Sequence, residues 1–310
     1  MRIARGTAVF SNLSVYSARL PGLNTDQIAD QLAAGVLSPC GKLEPGSAGW
    51  TSPYGKDSDI LTHTVGKCVL FRYGIEEKVL PPAVIKEAVN ERLIEAERKS
   101  GQRAPRSEKL RMKDEVLMDL LPRAFVKPRH VDAYLDLEDG WLVVDSASRK
   151  VAEELVGLLR MNLTGLKISA PDAKPAFCNK LTYWLKEGQP PEGFSLGDEC
   201  DLRDERDASA TIRCRRQDLD RSDIRRHLDQ GMQAFRLGLV WAERFSFSLS
   251  EELNLLRVKA LDQVQEQLSE VRTESAMEEL DARFALFTLE FRALLEQVCG
   301  ALEWPGAGDD

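Results

Sequence analysis

Apolar residues along the chain follow two periods, and the changes between them divide the sequence into strands and helices. Alternation of apolar and polar residues indicates half-buried strands. In the N-terminal half this pattern predicts five strands, at 9–16, 60–65, 67–73, 131–137 and 141–144. Gly66 and Gly140 stand in short turns between neighbouring segments, so we expect two hairpins within one antiparallel sheet. A long Gly/Pro-rich stretch, 39–55, is predicted to be a loop.

Helical spacing of apolar residues replaces this alternation between the two hairpins. Pro81 opens a helix that continues past Arg98, and Pro105 then interrupts the pattern. A second helix extends to Pro122. Residues 81–121 are therefore predicted to form a helical hairpin with a basic turn, which projects from the sheet as a separate lobe.

Short polar side chains mark the start of two other helices. Asn24 precedes a helix that is predicted to extend to about Gly35. Ser146 or Ser148 can cap a later helix, which Gly165 closes. Both helices carry apolar residues on one face, so we expect that face to pack against the sheet.

The C-terminal half shows the same two patterns. A short helix is predicted at 177–185, and strands are predicted at 211–214, 232–241, 245–249 and 253–255. The last three segments follow one another closely, which predicts consecutive antiparallel strands. A long final helix has an apolar stripe that must pack against this sheet or against a second subunit: Met277, Leu280, Phe284, Phe287, Phe291, Leu294 and Val298.

Together these elements predict an α+β fold, in which antiparallel sheets pack against helices and a helical hairpin lobe projects from them. With 310 residues, of which 43% are hydrophobic, the chain has enough apolar material for a sizeable core. The pattern divides the chain into three parts: a central sheet domain at 1–75 and 126–165, a helical tip lobe at 76–125, and a C-terminal α+β base domain at 166–310.

Composition also indicates the cellular setting. No segment reaches the roughly 18 apolar residues that cross a bilayer, and the first residues do not resemble a secretory signal, so we expect a cytoplasmic protein without a membrane partner. Six cysteines are scattered without paired spacing, which is typical of reduced thiols. We interpret them as small buried or half-buried residues rather than as redox groups: Cys40, Cys68, Cys178, Cys200, Cys214 and Cys299.

Residue types that bind metals or catalyse reactions give weak signals. The three histidines lack partners at ligand spacing, so we expect no metal site, no cofactor and no catalytic residue: His63, His130 and His227. One alternative stays open. Asp59 before a hairpin and Glu76-Glu77-Lys78 after a strand are similar to the carboxylates and lysine of a magnesium-dependent nuclease, although an ordinary strand-end turn explains them as well.

Charge is unevenly distributed along the chain. The formal net charge is -8, yet the segment 98–129 has ten basic residues and four acids, a local balance of +6. The segment 251–310 has fourteen acids and five basic residues, a balance of -9. A protein with separated charge can present a positive groove to DNA while its outer faces stay acidic. Solvated helix faces are the alternative interpretation, and composition does not choose between the two.

A second basic cluster follows in the C-terminal half, around Gln217. Arginine binds phosphate through two parallel hydrogen bonds, and Gln217 can add a neutral donor. Asp220 or Ser222 can cap the short helix that follows, whose N-terminal amides favour a phosphate. A solvated arginine-rich turn is the alternative. The cluster comprises Arg213, Arg215, Arg216, Arg221, Arg225 and Arg226.

One run in the predicted helical lobe resembles a known family. Lys113-Asp114-Glu115-Val116-Leu117, continued by Leu120-Leu121-Pro122-Arg123-Ala124-Phe125, is similar to the RdgC family of bacterial recombination-associated proteins. Shorter matches follow along the whole chain: Asn12-Leu13, Val15-Tyr16, Ser38-Pro39-Cys40-Gly41, Gly49-Trp50, Ser58-Asp59, Leu61-Thr62-His63, Glu76-Glu77-Lys78, Leu80-Pro81, Val84-Ile85-Lys86, Val144-Asp145, Ala147-Ser148 and Arg216-Gln217-Asp218-Leu219.

The resemblance implies a ring-shaped homodimer with a positively lined central hole, through which duplex DNA passes and is bound without sequence preference. It also implies a protein of the nucleoid that regulates recombination by limiting the access of the RecA recombinase to DNA, with no enzymatic step. Binding of single-stranded DNA stays open. The alternatives are the nuclease built on Asp59, Glu76 and Lys78, and a protein-binding regulator that uses the acidic C-terminal region.

The resemblance and the two basic clusters together select the candidate site residues. Phe125 is expected to be the apolar plug of the contact that closes the ring. Arg123 beside it, and Arg216 with Gln217, are expected to line the hole or the gate. The full set of expected DNA-binding residues is Arg98, Lys113, Arg123, Arg213, Arg215, Arg216 and Gln217.

Overall fold

The computed structural model describes residues 10–22, 24–171, 174–219, 222–270 and 275–304. The chain divides into two compact units. Unit 1 comprises Met1–Ala34, Ser52–Arg72 and Val131–Asp310, and unit 2 comprises Gly35–Thr51 and Tyr73–His130. The three domains predicted from the sequence, with their boundaries, stay a prediction.

Strands and helices alternate irregularly along the described residues. The strands are β1 Leu13–Arg19, β2 Gly46–Thr51, β3 Thr62–Val65, β4 Cys68–Val79, β5 Phe125–Asp136, β6 Trp141–Asp145, β7 Lys167–Ser169, β8 Phe194–Asp204, β9 Thr211–Arg215, β10 Met232–Trp241, β11 Phe245–Ser250 and β12 Asn254–Ala260. The α-helices are α1 Thr25–Leu32, α2 Pro82–Ser100, α3 Arg106–Leu120, α4 Arg149–Asn162, α5 Lys174–Glu187, α6 Ser222–Asp229, α7 Asp262–Glu270 and α8 Ala276–Leu302. Two short 3-10 helices are Ala33–Gly35 and Leu121–Arg123.

Unit 1 is built on an antiparallel sheet, which confirms the predicted α+β class. Its strands lie in the order β5, β6, β1, β12, β11, β10, β8 and β9, so β9 is the last strand at one end. The two predicted hairpins form as expected. Val65 pairs with Cys68 on either side of the turn that contains Gly66, and Asp136 pairs with Trp141 on either side of the turn that contains Gly140. The three strands predicted at 232–255 also pair consecutively, as β10, β11 and β12.

Helices cover one face of this sheet. From Leu280 onwards the stripe of α8 is buried in the same apolar cluster as residues of β10, β11 and α5, so it packs against the chain's own sheet. Met277, the first predicted member of the stripe, is 51% exposed. Phe287 stacks on Phe10 and on Phe291, with ring centroids 4.8 Å and 4.2 Å apart. Burial of such aromatic side chains is a large apolar contribution to folding, about 2 kcal/mol each. The opposite face of β8 and β10–β12 carries polar and charged residues, whereas β6 is buried on both faces, since Leu142, Val143 and Val144 are each 0% exposed.

Helix caps follow the sequence closely. Asn24 and Gln27 form a reciprocal capping box at the start of α1, which satisfies two backbone amides. This α-helix ends at Leu32, and the predicted continuation to Gly35 is a 3-10 turn. Of the two candidate caps for α4, Ser148 is the one that accepts a bond from an amide of the helix, that of Val151, whereas Ser146 accepts from the Ser148 amide.

Unit 2 contains the predicted helical hairpin, formed by α2 and α3. Gly101 ends α2 in the left-handed conformation, with φ at 68°. The prediction of a loop at 39–55 was wrong, because this stretch contains β2. Gly49 lies in that strand and approaches Leu37 so closely that a Cβ atom on Gly49 would stand 2.5 Å from the Leu37 Cα. Gly49 therefore allows the backbone of β2 to lie close to the backbone at Leu37, and it does not mark a loop.

Candidate nucleic-acid interface

The solvent side of the unit 1 sheet carries a band of charge. Alternation along the strands turns Leu237, Leu239 and Phe247 into the core and turns the intervening side chains outwards. Strand pairing then sets these outward residues side by side: Arg215 faces Glu199, and Arg213 and Arg236 both flank Asp201. We call this set the charged face: Glu199, Asp201, Arg213, Arg215, Arg236, Arg257 and Lys259.

Two carboxylates hold the arginines of the charged face in place. Asp201 is only 1% exposed, and its carboxylate lies 2.5 Å from Arg215 and 3.0 Å from Arg236. The contact with Arg236 is an aligned hydrogen bond, whereas the contact with Arg215 is an ion pair without that alignment. A buried carboxylate needs such partners, because its desolvation is otherwise uncompensated. Burial lowers the pKa of Arg236 from its ordinary value.

Glu199 plays the same part for a third arginine. Its carboxylate accepts a hydrogen bond from Arg257 Nε at 3.0 Å and lies 3.4 Å from Arg215 Nε. The hydroxyl of Ser248 contacts both Glu199 and Arg257. Five basic side chains thus share the charged face with two carboxylates, and the acids orient the guanidinium groups rather than cancel them.

A groove of about 1100 Å³ runs along the charged face. Arg215, Arg216 and Gln217, which lie on β9 and directly after it, line it together with Arg257 and Lys259 of β12. The intervening strands contribute two glycines. A Cβ atom on Gly197 would stand 3.0 Å from the backbone of Gly238, so this part of the lining has no room for side chains. A ligand can therefore approach the backbone between two sets of cations.

Local backbone strain marks two of these arginines. Arg216 and Arg257 have φ angles of 52° and 54°, a left-handed region that costs a non-glycine residue about 1 kcal/mol or more. Arg257 lies at an irregularity in the pairing of β11 with β12, and its amide donates to the side chain of Asn12 at 3.1 Å. Such a bulge re-aims the side chain, and here it turns Arg257 towards Glu199 and the groove.

The second predicted basic cluster is thus only partly one site. Arg215 is half-buried and ion-paired, whereas Arg213, Arg216 and Gln217 are exposed. Arg225 and Arg226 are exposed on α6 and are absent from the residues that line the groove. The predicted Arg221 and the candidate cap Asp220 lie outside the described residues.

Sequence reasoning missed Arg257 and Lys259. Both stand in the segment 251–310, whose strongly acidic total concealed them. Both also lie beyond the strand predicted at 253–255, because β12 extends to Ala260. A segment's net charge therefore gives no guide to the charge of one face of a sheet.

The residues predicted for the gate lie in unit 2. Phe125 begins β5 directly after the turn Leu121–Arg123, and its side chain is 85% exposed. Lys78 Nζ donates to the carbonyl oxygen of Leu121 at 2.9 Å, which fixes the base of this turn. Arg123 is exposed within the turn. The structure therefore presents an aromatic ring and a guanidinium group to solvent on a fixed turn.

The helical hairpin of unit 2 exposes both charge and apolar surface. Arg98 lies in the last turn of α2 and Lys113 in the middle of α3, and both side chains are exposed. Helix α2 has no buried residue. Exposed apolar side chains therefore accumulate on this hairpin and the turn that follows it, which is a common property of interaction surfaces: Ile94, Leu110, Met118 and Phe125.

The residues of the nuclease alternative have other roles. Asp59 belongs to unit 1, whereas Glu76 and Lys78 belong to unit 2. The Glu76 carboxylate accepts a hydrogen bond from the Cys40 amide at 2.9 Å, and Lys78 is bound to the Leu121 carbonyl group. Within the described ranges, no group of three or more His, Cys, Asp or Glu residues could hold a metal ion. This geometry does not favour the nuclease.

Among the helices that the structure describes, none combines the length and the apolar character needed to span a membrane. The 27 residues of α8 include charged side chains such as Glu290 and Arg292.

Comparison with known proteins gives matches over nearly the whole chain. The family model described as "RdgC: Putative exonuclease, RdgC" matches residues 9–304. The Recombination-associated protein RdgC of Halorhodospira halophila (strain DSM 244 / SL1) is 38% identical over 298 residues, which cover 96% of this chain and 97% of the relative. Its counterpart in Xanthomonas axonopodis pv. citri (strain 306) is 37% identical over 287 residues, which cover 92% and 95%.

A third relative, the Recombination-associated protein RdgC of Psychromonas ingrahamii (strain DSM 17664 / CCUG 51855 / 37), is 37% identical over 293 residues, which cover 94% of this chain and 97% of the relative. These relatives are named for an association with recombination and not for a reaction, whereas the family description names an exonuclease.

Proposed function

The chain belongs to the RdgC family of recombination-associated proteins, and from this premise we propose that it is a non-enzymatic, sequence-independent DNA-binding protein that encloses duplex DNA as a ring-shaped homodimer. In this role it regulates homologous recombination by limiting the access of the RecA recombinase to DNA, and it works in the cytoplasm at the nucleoid. The observation that carries the proposal is the groove along the charged face of unit 1.

The chemistry of the groove suits the DNA backbone. Arg216, Arg257 and Lys259 supply cations, and Gln217 supplies a neutral donor, all of which are ordinary partners of phosphate oxygens. Contacts to phosphate position a protein on the duplex and carry no base information. Arg215 and Arg257 are held by carboxylates before DNA arrives, so little side-chain entropy is lost on binding.

Unit 2 supplies the surface for closing a ring. An aromatic side chain that is 85% exposed, as Phe125 is, gains about 2 kcal/mol when a partner buries it. We propose that a second copy of this chain covers Phe125 and the apolar side chains of the helical hairpin, because a twofold interface uses the same patch on both subunits. Arg98, Lys113 and Arg123 then lie beside the contact as further phosphate ligands.

Enclosure strengthens the effect of weak contacts. Each phosphate contact releases counterions and is weakened by salt, so a handful of cations alone gives a short-lived complex. A closed ring keeps the DNA close to the cations after one phosphate contact breaks, so the contact forms again before the DNA escapes. DNA held in this way is sterically less accessible to RecA, which is the proposed regulatory effect.

The test is binding of the full-length protein to a fluorescent random-sequence duplex across a salt series, with magnesium present and the DNA checked for cleavage. Light scattering under the same conditions reports whether the protein is a dimer. Salt-sensitive binding of intact DNA by a dimer supports the proposal. Cleaved DNA would instead support the nuclease, and absence of binding at low salt would overturn the DNA-binding role.

A further inference from the structure

Two cysteines face each other across the last two strands of the unit 1 sheet. Cys200 of β8 and Cys214 of β9 form one of five paired positions, and the flanking pairs are Glu199 with Arg215 and Asp201 with Arg213. Side chains directly opposite each other in an antiparallel pair have Cβ atoms about 4.5–5.5 Å apart. A disulfide joins Cβ atoms about 3.5–4.5 Å apart. A small approach of the two strands therefore brings the sulfur atoms to bonding distance.

The two thiols belong to paired positions of adjacent strands, and they differ in exposure. Cys200 is 1% exposed and belongs to the apolar core, whereas Cys214 is half-buried and packs against the edge of that core. Because β9 is the last strand of the sheet, Cys214 is the thiol that a small solute reaches first.

We propose that Cys200 and Cys214 form an oxidation site, at which a hydroperoxide converts the two thiols into a cross-strand disulfide. First, the Cys214 thiolate attacks one peroxide oxygen, the O–O bond breaks, and hydroxide leaves, which gives a sulfenic acid. The Cys200 sulfur then attacks the sulfenic sulfur, the S–S bond forms, and the S–O bond breaks. The departing oxygen leaves as water after it takes up the Cys200 proton. Two thiols are oxidised, and hydrogen peroxide is reduced to two molecules of water.

Burial of Cys200 limits the rate of the second step. Burial raises the pKa of Cys200, and the neighbouring Cys214 raises it further, so little of the Cys200 thiolate is present at neutral pH. The thiolate is the attacking form, and its fraction grows as the pH rises. Disulfide formation therefore accelerates towards alkaline pH.

Other cysteines have different neighbours. The Cys178 thiol donates to the Glu251 carboxylate at 2.8 Å, and Cys68 Sγ lies 3.6 Å from Arg292 Nη2. Cys40 is in unit 2 and lies 3.4 Å from the Glu44 carbonyl oxygen. These contacts occupy the thiols without bringing a second sulfur atom to them. Cys299 is buried, at 6% exposure. Disulfide formation is thus directed to Cys200 and Cys214, which strand pairing sets opposite each other.

The disulfide lies on the opposite side of the sheet from the groove. Alternation along β9 turns Cys214 towards the core and turns Arg213 and Arg215 outwards. The bond therefore ties the terminal strand to β8 without covering a phosphate ligand. Oxidised protein is expected to retain its DNA affinity and to unfold at a temperature higher by roughly 5 °C, because the bond closes a loop of about 15 residues.

The experiment treats the reduced full-length protein with hydrogen peroxide, blocks the remaining thiols with N-ethylmaleimide, and identifies linked peptides by mass spectrometry. We expect a peptide pair joined through Cys200 and Cys214, formed faster at higher pH. Cys214→Ala abolishes this pair, Cys200→Ala is the second variant, and Cys40→Ala is the matched control that retains it. Alanine is used because it leaves no polar group in the core.

Two results would overturn the inference. One is that Cys200 and Cys214 are both recovered as N-ethylmaleimide adducts, and so as unoxidised thiols, at peroxide concentrations that oxidise Cys40. The other is conversion of Cys214 to a sulfinic acid, or to a disulfide between two chains, in place of the bond to Cys200. Because the measured product is a covalent bond formed without DNA, neither result bears on the proposed DNA-binding function.

Discussion

Asp201 and Arg215 form an ion pair across β8 and β9, with 2.5 Å between the carboxylate and the guanidinium group. The carboxylate is buried while the guanidinium group reaches the rim of the groove, so one partner stabilises the fold and the other faces the ligand. The same ion pair therefore affects both the stability of the charged face and its affinity for phosphate.

The pair gives opposite effects on stability and on DNA affinity. Replacement of Asp201 by Ala leaves Arg215 and Arg236 without their buried partner, and we expect the free energy of unfolding in urea to fall by about 3 kcal/mol. The same change removes one negative charge beside the groove, so DNA binding at low salt is retained or tightened. Glu205→Ala, on an exposed turn, is the control and leaves both quantities unchanged. A loss of DNA affinity in folded Asp201→Ala protein would contradict the assigned role.

Arg257 and Lys259 are predicted to contribute two phosphate contacts. Each contact adds about 0.9 to the slope of log affinity against log salt concentration, so the double alanine variant should lower that slope by about 2. The measurement is the salt series described above. Lys150→Ala with Lys167→Ala removes the same charge from exposed positions outside the groove and should leave the slope unchanged. If the slope fell equally in the two double variants, the effect would come from net charge alone and not from contacts in the groove.

Arg216 allows charge and backbone strain to be separated. Both Arg216→Ala and Arg216→Gly remove one phosphate contact and lower the salt slope by about 1. Glycine also adopts the left-handed φ of 52° without strain, which alanine does not. The free energy of unfolding of the glycine variant should therefore exceed that of the alanine variant by about 1 kcal/mol. Urea denaturation checks this difference. Identical slopes in wild type and both variants would remove Arg216 from the interface.

Phe125 is predicted to act on DNA retention without acting on folding. Its side chain is exposed in the single chain, so Phe125→Ala should leave the melting temperature of the protomer unchanged while it shortens the lifetime of the DNA complex. Dissociation is measured by adding excess unlabelled duplex. Met161→Ala is the control, since it removes an apolar side chain that is 76% exposed in unit 1. An unchanged lifetime in the Phe125 variant would exclude it from the gate.

His63 gives a dependence of stability on pH. Burial lowers its pKa from 6.5, although the nearby Asp281 acts in the opposite direction, and Tyr54 Oη lies 2.7 Å from Nδ1. The unfolded chain therefore binds the proton more readily, so stability is lost as the pH falls below about 6.5. Urea midpoints of wild type and His63→Gln, measured from about pH 7.5 to about pH 5, should converge towards acid. If the difference between the two urea midpoints grew towards acid pH, His63 would stabilise the fold in its protonated form, which contradicts this prediction.

Local patterns determined much of the fold. Asn24, Ser146 or Ser148, and Pro81 predicted helix starts because a cap or a proline acts within one turn of the chain. The hairpins at Gly66 and Gly140 needed only neighbouring residues. Strand β2 was missed because Gly49 and Gly46 serve close approaches to the backbone of Leu37 and of Glu76, which depend on tertiary structure. No sequence period revealed it.

The groove was predictable in part for the same reason. Arg215, Arg216 and Gln217 line the groove, stand together in sequence and were visible as part of a cluster. Arg257 and Lys259 are brought beside them by the order of strands β12, β11, β10, β8 and β9, and that order is a long-range property. The bulge that turns Arg257 towards Glu199 depends on pairing with β11, which a single sequence does not specify.

The position of β9 at the end of the sheet has a further consequence for solubility. A terminal strand leaves one row of backbone amides and carbonyls free to pair with a strand from another chain, and such edges start aggregation unless charge or shape prevents it. Arg213 and Arg215 place like charges along this edge, so two copies that approach edge to edge repel each other. The arginines that we assign to DNA thus also keep the sheet from growing, and neutralising them endangers the protein's solubility even where DNA is absent.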